Sequence, residues 1–252
     1  MTKILLHGCN GRLGQAITRI IKDYPNLNLV VGVDPNLSAP NDFPVFDNIE
    51  ACTVPVDVII DFSTAKAVRP LLEYAIAKKI PAVICTTGLP NEDIEFINEA
   101  SKQIPIFFSA NMSLGVNLLI TLAKRATEVL GDSGFDIEII EKHHNQKIDA
   151  PSGTALAIAN AITDTLDETY TLRFDRSTVR EKRPKNEIGI HAVRGGTIVG
   201  EHDIIFAGND EVITLSHSAA SKEVFAVGAI KAAAFIANKA PGLYDMANLL
   251  DN

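Results

Sequence analysis

The chain has no tryptophan, only three cysteines (Cys9, Cys52, Cys85), and fewer basic than acidic residues: 23 Lys+Arg against 31 Asp+Glu, a formal net charge of −8. An acidic surface repels phosphate. That argues against nucleic acid or an anionic membrane as the main partner, and leaves room for a small anion held by local cations. No apolar run reaches the roughly 18 residues that a spanning helix requires, so no membrane segment is expected. The cysteines show no paired spacing, as expected of reduced thiols in a cytosol. The opening MTKILLHGCNGRLG lacks the features of a secretory signal. These absences point to a soluble, cytoplasmic protein. With 252 residues, 46% of them hydrophobic, the chain can build a real core in one large domain or two smaller ones.

What is present has a clear order. Continuous apolar, β-branched runs at 3–7, 27–34, 56–62, 81–87 and 104–110 read as strands, and helix-period stretches occupy 12–23, 66–79 and 91–102. Strands without polar alternation, separated by helices, predict an α/β fold with a parallel sheet covered on both faces. The Pro/Asn/Asp-rich stretch 35–48 reads as a loop. After a long apolar helix at 114–130 the pattern changes. Residues 135–144 alternate, a helix follows at 155–166, and Gly-punctuated period-two segments run through 217, which predicts a mixed or antiparallel sheet. A small-residue helix closes the chain at 222–239. The shift near residue 114 marks the expected domain boundary.

The first strand runs into Gly8-Cys9-Asn10-Gly11-Arg12-Leu13-Gly14 and a helix. Gly8 allows a tight turn, Gly11 clears space for a pyrophosphate, and Gly14 lets helix and strand approach. The helix amides and dipole would face phosphates, with Arg12 adding charge. The spacing is GxxGxxG, a variant of the usual fingerprint, and taken alone it also suits a purely structural turn. Asp34 ends the second strand twenty residues after Gly14, where a carboxylate accepts bonds from ribose hydroxyls. Its charge would repel a 2′-phosphate and the next Lys or Arg is Lys66, so NADH is expected over NADPH. Asp34 could instead cap a turn before Pro35.

The densest polar stretch is Glu141-Lys142-His143-His144-Asn145-Gln146-Lys147-Ile148-Asp149-Ala150-Pro151-Ser152-Gly153-Thr154. Paired imidazoles titrate near neutrality and Lys147 supplies a cation or a proton. Ser152 is a natural N-cap, after which Gly153 and Thr154 offer first-turn amides to a carboxylate. No third His or Cys lies at ligand spacing, so no metal site is expected. No Cys–His arrangement is visible for nucleophilic catalysis. His7, His191, His202 and His217 are taken as structural.

The run E-x-H-H-N-x-K-x-D-A-P-S-G-T-A closely resembles the signature of the 4-hydroxy-tetrahydrodipicolinate (dihydrodipicolinate) reductase family. The resemblance extends through GCNGRLG, DFS at 61–63, TTG at 86–88, SANMSLGVN at 109–117, RGGTIVGEH at 194–202 and GLYDM at 242–246. It implies a Rossmann-type doubly wound sheet formed by 1–113 and 223–252, with the C-terminal helix packing back. It also implies a second α+β domain, 114–222, with an open mixed sheet that binds substrate and builds a homotetramer. His143 would donate or accept a proton, Lys147 would donate one, and His144, Gly153 and Thr154 would bind a small dicarboxylate. Gly8, Cys9, Asn10, Gly11, Arg12, Leu13, Asp34, Cys85, Thr86, Thr87, Ser109, Ala110, Asn111 and Met112 would line an NADH or NADPH site. Cys85 stands where the family usually has Gly, and its Cβ and sulfur could crowd the nicotinamide. Ala65-Lys66 and Lys222 also depart from the common pattern.

Two other classes are weaker. An acylating semialdehyde dehydrogenase needs a nucleophilic Cys in its second domain, and no Cys follows Cys85. A nucleotide-sensing module needs no acid–base cluster and would carry a binding appendage that is not visible here.

Overall fold

Every apolar run of the first half becomes a strand of one parallel sheet. The computed structural model describes residues 1–251. Its first elements are β1 (Thr2–His7), α1 (Arg12–Ile20), β2 (Leu27–Val33), β3 (Val45–Phe46), β4 (Val58–Asp61), α2 (Ala65–Lys78), β5 (Ala82–Ile84), α3 (Asn91–Ser101), β6 (Pro105–Phe108) and α4 (Leu114–Leu130). There follow β7 (Asp136–His143), α5 (Gly153–Thr163), β8 (Thr171–Arg173), β9 (Glu187–Arg194), β10 (Gly200–Ala207), β11 (Val212–Ala219), α6 (Glu223–Ile236), β12 (Gly242–Tyr244) and α7 (Met246–Leu250). The chain divides into two compact units, Met1–Leu114 with everything from Glu223 onward, and Gly115–Lys222.

In the first unit the strand order is β12-β6-β5-β4-β1-β2-β3, parallel throughout. Strand residues alternate between two apolar layers. Ile4, Leu6, Ile60 and Phe107 pack with Ile17 of α1 and Ala229, Ile230 and Ala233 of α6. Leu5, Val31, Ile59 and Ile106 pack with Leu71 and Leu72 of α2 and Ile97 of α3. Burial on both faces is why these strands carry no polar alternation. The small residues of α6 permit close contact: a Cβ on Gly228 would run into the Met112 carbonyl oxygen. Strand order reverses direction between β1 and β4, and ligands of open α/β sheets bind beyond the carboxyl ends of the strands at that switch point.

The second unit is a five-stranded mixed sheet, β11-β10-β7-β9-β8. β10 runs antiparallel to β7 and β11, and β9 runs parallel to β7 and β8. Residues of α4 and α5 (Leu119, Ala123, Ile158, Ile162) cover the face formed by Ile137, Ile139, Ile190, Ile204 and Phe206. The strict alternation of β7 carries this inward face on to Glu141 and His143. The fold is therefore the Rossmann-type sheet plus mixed α+β sheet that the sequence predicts. The elements the patterning passed over, β3, β8, β12 and α7, have two to five residues each, too short to show a period.

Candidate active site

In the first unit, the glycine turn is shaped by packing at two positions and left open at the third. Gly8 has φ +78°, and a Cβ there would run into the Phe62 carbonyl. A Cβ on Gly14 would strike the Gly8 carbonyl, so helix and turn need it bare. Gly11 is different: an added Cβ would meet only Gly8 O, at 3.4 Å. Nothing inside the protein requires glycine at Gly11. It is also the N-cap of α1, with no side-chain cap on the helix amides. An open helix N-terminus beside a bare residue fits a phosphate-bearing ligand. Arg12 is exposed at the same turn.

Asp34 is buried, and each of its oxygens takes one amide, Asn10 N at 3.0 Å and Asn36 N at 2.9 Å. Asn10 Nδ2 also donates to the Asn36 carbonyl. Asp34 thus ties the glycine turn to the loop after β2, and a carboxylate with roughly four acceptor sites retains capacity for a hydroxyl donor. Of the other residues in the expected cofactor set, Cys9, Cys85 and Met112 are packed into the core. The Cys85 side chain packs in the cluster that holds Val83, Phe107 and Met112. Burial, with Asp34 adding, pushes the Cys9 thiol up to about 12, and burial, with Asp61 adding, raises that of Cys85 well above its ordinary value. Neither is a ready thiolate. Leu13, Ser109 and Asn111 are half-buried, Thr87 and Ala110 are exposed, and Ser109 Oγ donates to the Asn111 carbonyl at 3.2 Å.

A network that sequence reasoning missed lies at the switch point. Asp61, fully buried at the end of β4, bonds His7 Nδ1 at 2.8 Å, Thr86 Oγ1 at 2.6 Å and Ser63 Oγ at 2.5 Å. Thr86, expected among the cofactor residues, is thereby a support for the loop after β5. The signal was a carboxylate closing the otherwise apolar run Val58-Ile59-Ile60-Asp61.

In the second unit, β7 places Glu141 and His143 two residues apart on the inward face. Glu141 is fully buried and bonds His143 Nδ1 at 2.6 Å. It also accepts from Arg194 Nη1 and Nη2, each at 2.7 Å, and from Ser152 N at 3.0 Å. Burial pushes the Glu141 carboxyl up; the bonds from Arg194, His143 and Ser152 outweigh it and hold it below its ordinary value. With Nδ1 engaged, the nitrogen left for chemistry is Nε2, which lies over Gly200: a Cβ there would come within 3.1 Å. His144 is half-buried, and its carbonyl accepts from Lys147 N at 3.1 Å. Lys147 Nζ bonds both oxygens of Asp149 at 2.8 Å, which holds the Asp149 carboxyl below its ordinary range. Ser152 caps α5 by accepting from Ala155 N at 3.1 Å. Gly153 is exposed and a Cβ there would meet nothing within 4 Å, so the helix start is open to a ligand. The β7 end, the 144–151 loop and the α5 start thus bring His143, His144, Lys147, Gly153 and Thr154 into one region of this unit.

Sequence reasoning included Glu141 and Asp149 in the polar stretch without giving them a role, and did not connect Arg194 or His202 with it. The spacing of Glu141 and His143 on an alternating strand was the available signal. Arg194 arrives only through the β7–β9 register, which pairs it with His143. His202, on β10, packs its ring edge-on against His143 with centroids 5.3 Å apart, and its Nε2 lies 3.1 Å from Ser152 Oγ. Burial, with His143 adding, lowers its pKa from 6.5 to about 4. A depressed histidine pKa means that the unfolded chain binds more protons between those values. Stability therefore falls as pH drops from about 6.5 to about 4, by up to about 3 kcal/mol from this group. Thermal melts of wild type and His202→Asn at both ends of that window should show a shallower acid loss in the variant; equal losses would remove His202 as the cause.

A Rossmann-type sheet with an open glycine turn, joined to a unit carrying an oriented imidazole, a lysine and an open helix start, defines a nicotinamide-dependent oxidoreductase. Residues 2–112 match the family model "Dihydrodipicolinate reductase, N-terminus" and residues 115–250 match "Dihydrodipicolinate reductase, C-terminus". The chain belongs to the dihydrodipicolinate reductase family. It is 55% identical over 250 residues to the 4-hydroxy-tetrahydrodipicolinate reductase of Caldanaerobacter subterraneus subsp. tengcongensis, covering 99% of this chain and 98% of that one. Identity to the 4-hydroxy-tetrahydrodipicolinate reductase of Clostridium tetani is 50% over 252 residues, covering 100% of this chain and 98% of the relative. Among solved structures, dipicolinate-bound dihydrodipicolinate reductase from Paenisporosarcina sp. TG-14 superposes with a TM-score of 0.81 at 26% identity, covering 97% of each chain.

Proposed function

We propose that the protein reduces 4-hydroxy-tetrahydrodipicolinate to tetrahydrodipicolinate with NAD(P)H and loss of water, the step that serves lysine synthesis through diaminopimelate. The observation that carries this reading is the Glu141-held His143 beside Lys147 and the open α5 start. A bound nicotinamide supplies the hydride. The protein's residues do the rest. Gly153 and Thr154 at the α5 start, with Lys147 and His144, hold the two carboxylates. Overall the substrate gains one hydride and one proton and releases one water, and His143 Nε2 or Lys147 Nζ delivers the proton. To reach the substrate, Lys147 exchanges its pair with Asp149 for a substrate carboxylate. Gly8 to Leu13, Asp34, Cys85 to Thr87 and Ser109 to Met112 line the cofactor site. Initial rates of nicotinamide oxidation, with substrate made freshly by the upstream synthase, test the activity; absence of substrate-dependent oxidation with either cofactor would end it.

Asp34 gives the preference for NADH. Its buried charge, already holding two amides, would repel a 2′-phosphate, and no Lys or Arg occurs between residues 35 and 65. Steady-state comparison should give a kcat/KM at least about tenfold higher with NADH, equivalent to roughly 1.4 kcal/mol. A ratio favouring NADPH would contradict it. We place the enzyme in the cytoplasm as a homotetramer built through the second unit. Exposed Val193 and Val212, on the sheet face opposite α4 and α5, support an association surface there, and sedimentation velocity checks the assembly.

A further inference from the structure

A buried ion pair alone does not explain Glu141. Exchanging such a pair for well-packed apolar residues is often neutral or stabilising. An apolar residue would also continue the inward face of Ile137 and Ile139 on β7. What an apolar residue cannot do is take four hydrogen bonds. Oε1 of Glu141 accepts from Arg194 Nη2 and Ser152 N, and Oε2 bonds Arg194 Nη1 and His143 Nδ1. A carboxylate has about four acceptor sites, so every one is used. Each bond reaches a different part of the cluster. His143 is the imidazole, and Ser152 is the N-cap of α5. Arg194 in turn donates to the Asp149 carbonyl at 2.6 Å, in the loop that carries Lys147. The loop is further pinned where Asn145 N donates to Gly196 O at 3.2 Å.

We propose that Glu141 is the positioning residue of the reaction: one buried carboxylate, clamped by Arg194, fixes the imidazole tautomer, the start of α5 and the lysine loop relative to one another. The inference rests on the reading that His143 and Lys147 handle the proton. Because His143 Nδ1 carries a hydrogen toward the carboxylate, Nε2 is left to face the substrate. Because Ser152 N is held by the same carboxylate, the distance from the imidazole to the Gly153–Thr154 carboxylate site is set by a single side chain. Displacements of about 1 Å in such a framework cost on the order of 100-fold in rate.

The first test needs no variant. Long-range proton–nitrogen NMR of the wild-type protein, with His143 assigned by the signal lost in His143→Gln, should show the proton on Nδ1. A proton-free Nδ1 overturns the proposal. The second test compares Glu141→Gln with the double variant Glu141→Gln/Arg194→Met, which leaves no unpaired buried charge. Both should lower kcat about 100-fold while the Kd for NADH changes by less than about twofold, and the double variant should recover thermal stability without recovering kcat. A stable double variant with wild-type kcat would reduce Glu141 to a structural ion pair. If wild type itself does not turn over the substrate, the proposed activity fails instead, and the ring-nitrogen spectrum still decides the clamp.

Discussion

Replacing His143 by Gln should lower kcat by about three orders of magnitude, the middle of the range for a positioned acid–base group, and leave NADH affinity unchanged. Gln keeps a donor and an acceptor at about the same reach, so the loss reports proton transfer rather than packing. The ring is buried and held at Nδ1 by Glu141, so no neighbouring group replaces it from the same position. NADH affinity is the control, because the residues proposed to hold the cofactor lie in the other unit. Single-turnover rates and fluorescence titration with NADH measure the two quantities. An unchanged kcat removes His143 from the chemistry.

Lys147→Met should cost about as much, divided differently. Met keeps the length of the stem and removes the cation, so the substrate loses a carboxylate partner and a proton source together. Losing a charge-assisted contact of this kind is worth roughly 2–5 kcal/mol, so kcat/KM should fall by about 10³-fold, with KM rising as well as kcat falling. Lys147→Arg separates the roles. The guanidinium keeps the charge but does not release a proton near neutrality. It should therefore recover KM more than kcat. Equal recovery of both would assign Lys147 to binding alone.

The layered fold was readable because its determinants are local. Ile4, Leu5 and Leu6 face opposite layers yet are all apolar, which only a strand covered on both sides requires. Alternation in Asp136–His143 announced a sheet with one buried face. The His-His-Lys run and the Ser152 cap were readable for the same reason, since cap and helix start are neighbours in sequence. Partners brought by pairing were not. Arg194 lies 53 residues from Glu141, and His202 lies 50 residues from Ser152. Only the register of β7 with β9 and β10 unites them. Asp61 and His7 are separated by 54 residues and meet through the parallel pairing of β1 with β4. Cys85 shows the converse: sequence position alone did not reveal that its side chain packs into the core.

The most direct experiment follows the hydride. Wild-type enzyme is supplied with NADH deuterated at the transferable position and with freshly generated 4-hydroxy-tetrahydrodipicolinate, and the product is analysed by mass spectrometry. Tetrahydrodipicolinate carrying one deuterium, formed in step with NADH oxidation and lost in His143→Gln, is the expected result. Consumption of NADH with no label in the product, or no consumption at all, would contradict the assignment of this site to reduction of the dicarboxylate.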